Sequence, residues 1–373
     1  MTAPTRGDPA PWFTAAASNN PEFDFATVAG RRIVLSFFGS AAAPVGARFL
    51  AQVHAQRAVF DDTQIAFFGV SNDPGDTGRV QPQPVGVRFF WDFDRAVARL
   101  YGVVTDAEPA PLTSFLLDIN LRVLWVIKEP DPDKHAAALF GVLARLPKIP
   151  PPAPAARQAP LLVVPYIFEP DFCKLLIELY QTHGGEESGF ARDQDGKTIN
   201  IVDHDIKRRK DYFIGDDKIR AAIRARISRR LLPEIKKAFQ FEVTRMERYI
   251  VACYSAEEGG FFRAHRDNTT KGTAHRRFAV TLNLNADEYE GGNLRFPEYG
   301  SQLYRAPTGG AVVFSCSLLH EATPVTKGTR YVFLPFLYDE TAAAIREASN
   351  PYLGEDVGQY RPGRIADEAA SQA

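Results

Sequence analysis

The sequence predicts two bodies of different class in one chain: an α/β half, then an α+β half built from short strands and one long helix. Three observations carry this. Continuous apolar runs of strand length alternate with helically spaced residues in the first part. A proline-dense stretch then interrupts the chain. Beyond it, short apolar runs are bounded by glycine-rich turns, and His265-Arg266-Asp267 closes one of them.

In the first half, Arg32-Ile33-Val34-Leu35-Ser36-Phe37-Phe38 is apolar throughout, as in a strand of a parallel sheet covered on both faces. Phe49, Leu50, Val53 and His54 follow at helical spacing. Gln64 to Ser71 is a second such strand, ending at the polar turn Asn72-Asp73-Pro74. Ser114 to Asp118 pairs naturally with Arg122 to Ile127 across Ile119-Asn120-Leu121, and a helix runs from Asp133 to Leu146. The order predicts a parallel core with an antiparallel hairpin.

Residues 147–160 carry proline at a density that forbids helix and sheet and favours a stiff extended spacer. The expected organisation is residues 1–146, a linker over 147–160, a second domain over 161–345 and a tail over 346–373. Glu340 to Ala348 reads as a helix, and the last dozen residues are expected to be mobile.

The second half carries the chemistry. In an extended strand, residues i and i+2 share a face, so His265 and Asp267 aim together and Arg266 aims away. Ala311 to Cys316 reads as a buried strand with His320 just beyond its end. Gly328 to Leu337 reads as one strand that turns Arg330 the same way as Val332 and Leu334. A guanidinium on an apolar face is expensive unless paired, and a dicarboxylate would pair it in a fork. Two imidazoles and one carboxylate hold one face of an octahedral metal and leave positions open, which suits a non-haem Fe(II) oxygenase.

These residues resemble the Fe(II)/2-oxoglutarate dioxygenases, in their prolyl 4-hydroxylase-like branch. The resemblance includes the ligands, Phe278 to Asn285, Gly291-Gly292-Asn293-Leu294-Arg295-Phe296-Pro297 and His320 to Val325. It implies a double-stranded β-helix, a cupin-like jelly roll. It also implies that His265, Asp267 and His320 bind Fe(II) and that Arg330 holds the distal carboxylate of 2-oxoglutarate. Tyr254 stands near where the family places a cosubstrate tyrosine, with two extra residues before the histidine. The implied reaction consumes O2, converts 2-oxoglutarate to succinate and CO2, and hydroxylates an unactivated C–H bond, with ascorbate keeping the iron reduced. A retained Asp267 favours hydroxylation over halogenation.

The first half resembles the thioredoxin fold, and within it the peroxiredoxins, over residues 8–146. Their Pro-x-x-x-Thr-x-x-Cys loop reads here with Gly39, Ala43 and Gly46 at the proline, threonine and cysteine positions. Peroxide reduction needs a thiolate, and no cysteine precedes Cys173. This domain is therefore expected to be catalytically degenerate, with a dimer face, a partner surface or a stabilising role left open.

Composition bounds the rest. The net charge of −1 predicts no global attraction to nucleic acid or membrane. Three widely spaced cysteines form no metal or redox pair and suit a reducing compartment. The N-terminal residues show no signal-like core, and no run of about 18 apolar residues occurs, so a cytoplasmic protein is expected. Lys207-Arg208-Arg209-Lys210 and a basic helix over Lys218 to Lys237 read as a solvated face, or more sharply as an anion-binding one. Arg263, Asn268, Arg276 and Arg277 are candidates to orient substrate, and His275 reads as substrate-facing or solvated. The expected substrate is a peptide, protein or small amino-acid-like molecule, prolyl residues leading. A nucleic-acid-modifying dioxygenase and a non-enzymatic sensor or scaffold remain as alternatives.

Overall fold

The computed structural model describes residues 3–81, 85–104, 111–155 and 157–357. It forms two compact units, Met1–Ala153 and Pro154–Ala373. The division falls within the proline-dense segment. Ala156 of that segment, and the tail beyond Val357 with its last dozen residues, lie outside the described residues.

The first unit is built on strands β1 (Thr14–Ala17), β2 (Asn20–Asp24), β3 (Arg32–Gly39), β4 (Ile65–Ser71), β5 (Val87–Trp91), β6 (Thr113–Leu117) and β7 (Val123–Lys128). They lie in the order β2-β1-β5-β4-β3-β6-β7. β3, β4 and β5 are parallel, and β6 and β7 add the antiparallel hairpin. The apolar run of β3 is continuous because both of its faces are covered. Ile33, Leu35 and Phe37 join one buried cluster, while Val34 and Phe38 are buried on the other side. On that second side Ser36, Ser114 and His135 form a buried chain, with contacts of 2.6 Å and 2.8 Å. The His135 Nδ1–H donates to the Glu129 carbonyl at 3.1 Å, so the chain is satisfied at its end. The β1–β2 hairpin and β5 escape a reading by pattern. Thr14-Ala15-Ala16-Ala17 has helix-forming composition, and edge pairing with β2 and β5 overrides it. The last helix spans Pro132–Leu143, shorter at its end than expected, and Asp131 caps its first turn.

Gly46 lies in the first turn of the helix Pro44–Ala55. A Cβ there would lie 2.1 Å from the Ser40 carbonyl oxygen and 3.0 Å from that of Phe38. The space a cysteine side chain would need at this position is occupied by backbone.

The second unit opens with the strand Leu161–Val164, which pairs with Ala311–Ser315 in a nine-stranded sheet. A five-stranded sheet is ordered Lys207–Arg208, Phe261–His265, His320–Ala322, Leu294–Arg295 and Leu303–Tyr304. Helices Pro170–His183, Asp217–Arg230 and Leu232–Phe239 cover the outer face of the larger sheet, where Leu176, Ile223, Ile227, Val251, Leu282 and Phe333 share one core. Alternate residues Ala252, Tyr254 and Val332 face inward with Phe262 and Ala322 of the smaller sheet. Two elements read as continuous are broken by proline. The basic helix ends at Arg230 and restarts at Leu232, with Pro233 in the new first turn. The strand after Gly328 stops at Phe333 and resumes at Phe336, because Pro335 has no N–H to donate. The helix Glu340–Ala348 carries the fold past residue 345, and Leu353 bridges onto Thr198, so the ordered unit reaches into the expected tail. Among the described residues no helix is long and apolar enough to cross a membrane.

Gly46→Cys is expected to leave peroxide consumption, measured with a dithiol reductant, at the wild-type level. It should also lower the stability of the first unit by about 1–3 kcal/mol, read by urea unfolding, because the added atoms meet backbone carbonyls.

Candidate metal centre

The strand Phe261–His265 runs antiparallel to His320–Ala322, and in that register His265 lies directly across from His320. His320 thus opens a strand of its own. Asp267 follows just past the first strand, where its N–H donates to the Cys316 carbonyl at 3.0 Å. The three residues place ligand atoms within 4.8 Å of one another. His265 Nε2 is 3.5 Å from Asp267 Oδ1, and His320 Nε2 is 3.4 Å from Oδ2.

Each imidazole is oriented by its other nitrogen. His265 Nδ1 donates to the Arg263 carbonyl at 2.7 Å, and His320 Nδ1 donates to that of Leu318 at 3.0 Å. A carbonyl only accepts, so both Nδ1 atoms carry the proton and both Nε2 lone pairs face Asp267. Burial would raise the Asp267 carboxyl, but His320 and His265 beside it hold it well below the usual carboxylate range. Burial pushes His320 down to about 4 against the pull of Asp267. A neutral His320 imidazole beside the Asp267 carboxylate is the protonation state a divalent metal requires.

Arg266 turns outward, as strand alternation requires. Its guanidinium pairs with Glu298 at 2.6 Å and 3.2 Å, and Glu298 also accepts the Leu319 N–H at 3.0 Å. One exposed carboxylate thereby ties the His265–Asp267 segment to the residue before His320.

Arg330 is 2% exposed, and its Nε finds no hydrogen-bond partner among the described residues. It faces inward opposite Tyr254 in the neighbouring strand, its guanidinium carbon 5.0 Å from the tyrosine ring centroid. The glycine at position 292 is explained in part by this side chain. Gly292 has φ +58°, and a Cβ there would meet Arg330 Cδ at 2.9 Å.

A cavity of about 820 Å³ holds the triad, Arg330 and Tyr254 in its wall. Of the four expected substrate residues only Arg276 lines it. Arg263 donates to the Asp205 carbonyl, Asn268 Nδ2 to Ser317 Oγ at 2.8 Å, and Arg277 to the Ala274 carbonyl at 3.1 Å. Arg276 is locked to Glu247 at 2.7 Å and reaches the Asp267 carbonyl at 3.4 Å. His275 is neither solvated nor free to face substrate: it is buried, with Nε2 2.5 Å from Glu247. Burial would raise the Glu247 carboxyl, but Arg276 and the His275 hydrogen bond outweigh it and hold the group well below its ordinary value.

Sequence reasoning missed a second charged group. Lys207, Arg209 and Asp211 are buried and line the cavity, whereas Arg208 is exposed. The basic run splits by strand alternation, and that period of two was the available signal. Arg209 pairs with Asp211 at 2.6 Å, and Ser188 Oγ donates to the same carboxylate at 2.5 Å. On the basic helix Arg226 and Arg230 share the Glu169 carboxylate, at 2.6 Å and 2.7 Å. The expected anion-binding stripe is therefore divided between the cavity and local ion pairs.

Residues 249–338 match the model of the 2OG-Fe(II) oxygenase superfamily, and residues 6–129 match that of the AhpC/TSA family. The chain carries a domain of each. The oxygenase domain is 36% identical over 94 residues to a PKHD-type hydroxylase of Cupriavidus metallidurans, covering 22% of this chain and 41% of that protein. It is 27% identical over 217 residues to procollagen-lysine,2-oxoglutarate 5-dioxygenase 1 of Gallus gallus, covering 55% of this chain and 26% of the relative. The chain thus spans about half or less of the curated relatives it matches. Among solved structures, a prolyl hydroxylase from Trichoplax adhaerens in complex with a hypoxia inducible factor peptide is 19% identical. Its TM-score is 0.38, over 50% of this chain and 86% of that one. Peroxidoxin BcpB of Mycobacterium tuberculosis is 20% identical with a TM-score of 0.34, over 39% of this chain and 99% of that one.

Glu247→Gln is expected to destabilise the second unit at neutral pH by about 3–5 kcal/mol, because it strands the buried Arg276 charge. The native carboxyl lies below its ordinary value of 4.5, so its contribution is complete above that pH and is lost as pH falls further. The gap between wild type and variant should therefore narrow on acidification below pH 4.5, read by urea unfolding across pH.

Proposed function

We propose that the oxygenase domain is an Fe(II)- and 2-oxoglutarate-dependent hydroxylase of a prolyl, peptidyl or small amino-acid-like substrate. The observation that carries this reading is the pairing of two features in one cavity: a three-ligand cluster with both Nε2 lone pairs converging, and a buried arginine whose Nε lacks a hydrogen-bond partner among the described residues. The donor set suits Fe(II), with nitrogen and carboxylate oxygen donors on one face. Iron bound there would supply the redox chemistry on O2 that no side chain of this protein offers.

The chain's own groups do the positioning. His265 and His320 offer lone pairs set by their carbonyl hydrogen bonds, and Asp267 balances the metal charge. Arg330 receives the distal carboxylate of 2-oxoglutarate as a charge-assisted fork, which relieves its uncompensated burial. Tyr254 forms the wall beside that guanidinium. The apolar residues between the sheets keep water from the reacting atoms. Ascorbate serves to keep the iron ferrous, and O2 is the second cosubstrate. The three free cysteines suit a cytoplasmic setting. The AhpC/TSA-family unit, without a cysteine of its own, serves as a binding or dimerisation body. Nucleic acid is a poorer substrate on this reading, because several cations of the basic helices are held in local ion pairs: Arg226 and Arg230 with Glu169, Lys236 with Glu242 and Lys237 with Glu234.

Asp267→Ala is expected to abolish both divalent-metal retention after dialysis and succinate release from 2-oxoglutarate. Arg330→Met should keep the metal but raise the 2-oxoglutarate concentration needed for half-maximal succinate release roughly 100-fold. Equal behaviour of Arg330→Met and wild type would remove the cosubstrate role.

A further inference from the structure

Arg248 stands between the strands Arg245–Glu247 and Ile250–Ser255 with φ +75°, a left-handed conformation that L side chains rarely adopt. Backbone strain of this kind persists only where surrounding structure holds it, and it concentrates at ligand sites. Here it delivers a guanidinium into the wall of the cavity that holds the metal ligands.

Every buried carboxylate around it is already engaged. Asp211 takes Arg209 at 2.6 Å and Ser188 at 2.5 Å. Glu247 takes Arg276 and His275, at 2.7 Å and 2.5 Å. Asp267 belongs to the triad. Lys207 spends its ammonium on Ser188 Oγ at 2.7 Å and the Gly189 carbonyl at 2.5 Å. Among the described residues the one polar contact of the Arg248 guanidinium is a 3.5 Å approach to the shared Asp211. Otherwise it lies over the Phe336 ring, 5.3 Å from the centroid, a ring whose other guanidinium, that of Arg276, sits at 4.0 Å. Burial and the neighbouring Arg209 push Arg248 down to about 10, the mark of a cation short of compensation.

We infer that Arg248 is the substrate-anion site of this cavity, and that the molecule to be hydroxylated carries a carboxylate. The inference rests on the hydroxylase reading above. On that reading a ferrous ion and a keto-dicarboxylate, with Asp267 and Arg330, form a neutral set, so the charge of Arg248 is left for the substrate. The cavity, about 820 Å³, accommodates an amino acid or a few peptide residues beside the cosubstrate. The carboxylate belongs either to a free amino acid or to an acidic peptide residue, and the chemistry at Arg248 is the same.

The test uses the full chain with Fe(II) and 2-oxoglutarate, and reads succinate formed above the rate without added substrate. One arm offers amino acids, proline among them, as free acids and as their α-amides. A second arm offers end-capped proline-containing peptides with glutamate or glutamine as neighbour. The carboxylate member of the responding arm should exceed its neutral twin roughly tenfold or more in kcat/KM, and the arm that responds identifies the source. Arg248→Gly removes the guanidinium and relieves the backbone, so it should unfold at higher temperature than wild type while the preference for acid over amide disappears. Arg248→Lys, which keeps the charge but loses the fork, should retain part of that preference. Acid and neutral twins that behave alike, whether both respond or neither does, overturn the proposal, as does a preference that survives in Arg248→Gly. The charge-transfer absorption of the anaerobic Fe(II)–2-oxoglutarate chelate is measured in parallel. Its absence in wild type sinks the hydroxylase reading itself, whereas its presence without an acid preference sinks only the role of Arg248.

Discussion

The register that sets His265 opposite His320 is the constraint on which the oxygenase domain depends. Side chains of directly opposed residues lie close on one face of a sheet. That proximity turns two histidines 55 residues apart into a pair before any ion arrives. A slip of one residue in either strand would turn its histidine to the other face. The Nδ1 hydrogen bonds to Arg263 and Leu318 then fix the rings, and Arg266–Glu298–Leu319 links the two ligand segments from outside. Preorganisation of this kind spares the metal the work of ordering its own site.

Around that centre the protein buries charge, and it does so in partnered sets. Glu247 lies behind Asp267 with Arg276 and His275, and Asp211 lies with Arg209 and Ser188. Such pairs contribute little net stability relative to a well-packed apolar core, but removing one member is costly. They are better understood as a rigid polar wall that holds arginines at the cavity surface. Arg330 and Arg248 stand apart from them. Among the described residues one has no hydrogen-bond partner for its Nε, and the other has a left-handed backbone and a single long polar contact.

The AhpC/TSA-family unit is a well-packed body with glycine at one informative position. Its mixed sheet, its two-sided core and its satisfied Ser36–Ser114–His135 chain are intact. Yet at Gly46 the chain has closed on itself until no side chain fits without moving backbone. Packing and catalysis place different demands on sequence. Many residues share the first, and one nucleophile carries the second.

Much of this was legible in the residues alone. The unbroken apolar runs of β3 and β4 required burial on both faces, and the spacing of Arg330 with Val332 required a cation pointing inward. The donor types in His265, Asp267 and His320 are local chemistry and needed no coordinates. Less legible were the helix break at Pro233, the inward turn of Lys207 and Arg209, and the pairing of His275 with Glu247. Each depends on partners far along the chain. What the sequence determined was which groups were present and how each strand or helix distributes them between its faces, since that follows from backbone periodicity. Which groups meet, which charges find a counter-charge and which are left bare was decided by the tertiary structure, because burial and cross-strand register exist only once distant segments have packed.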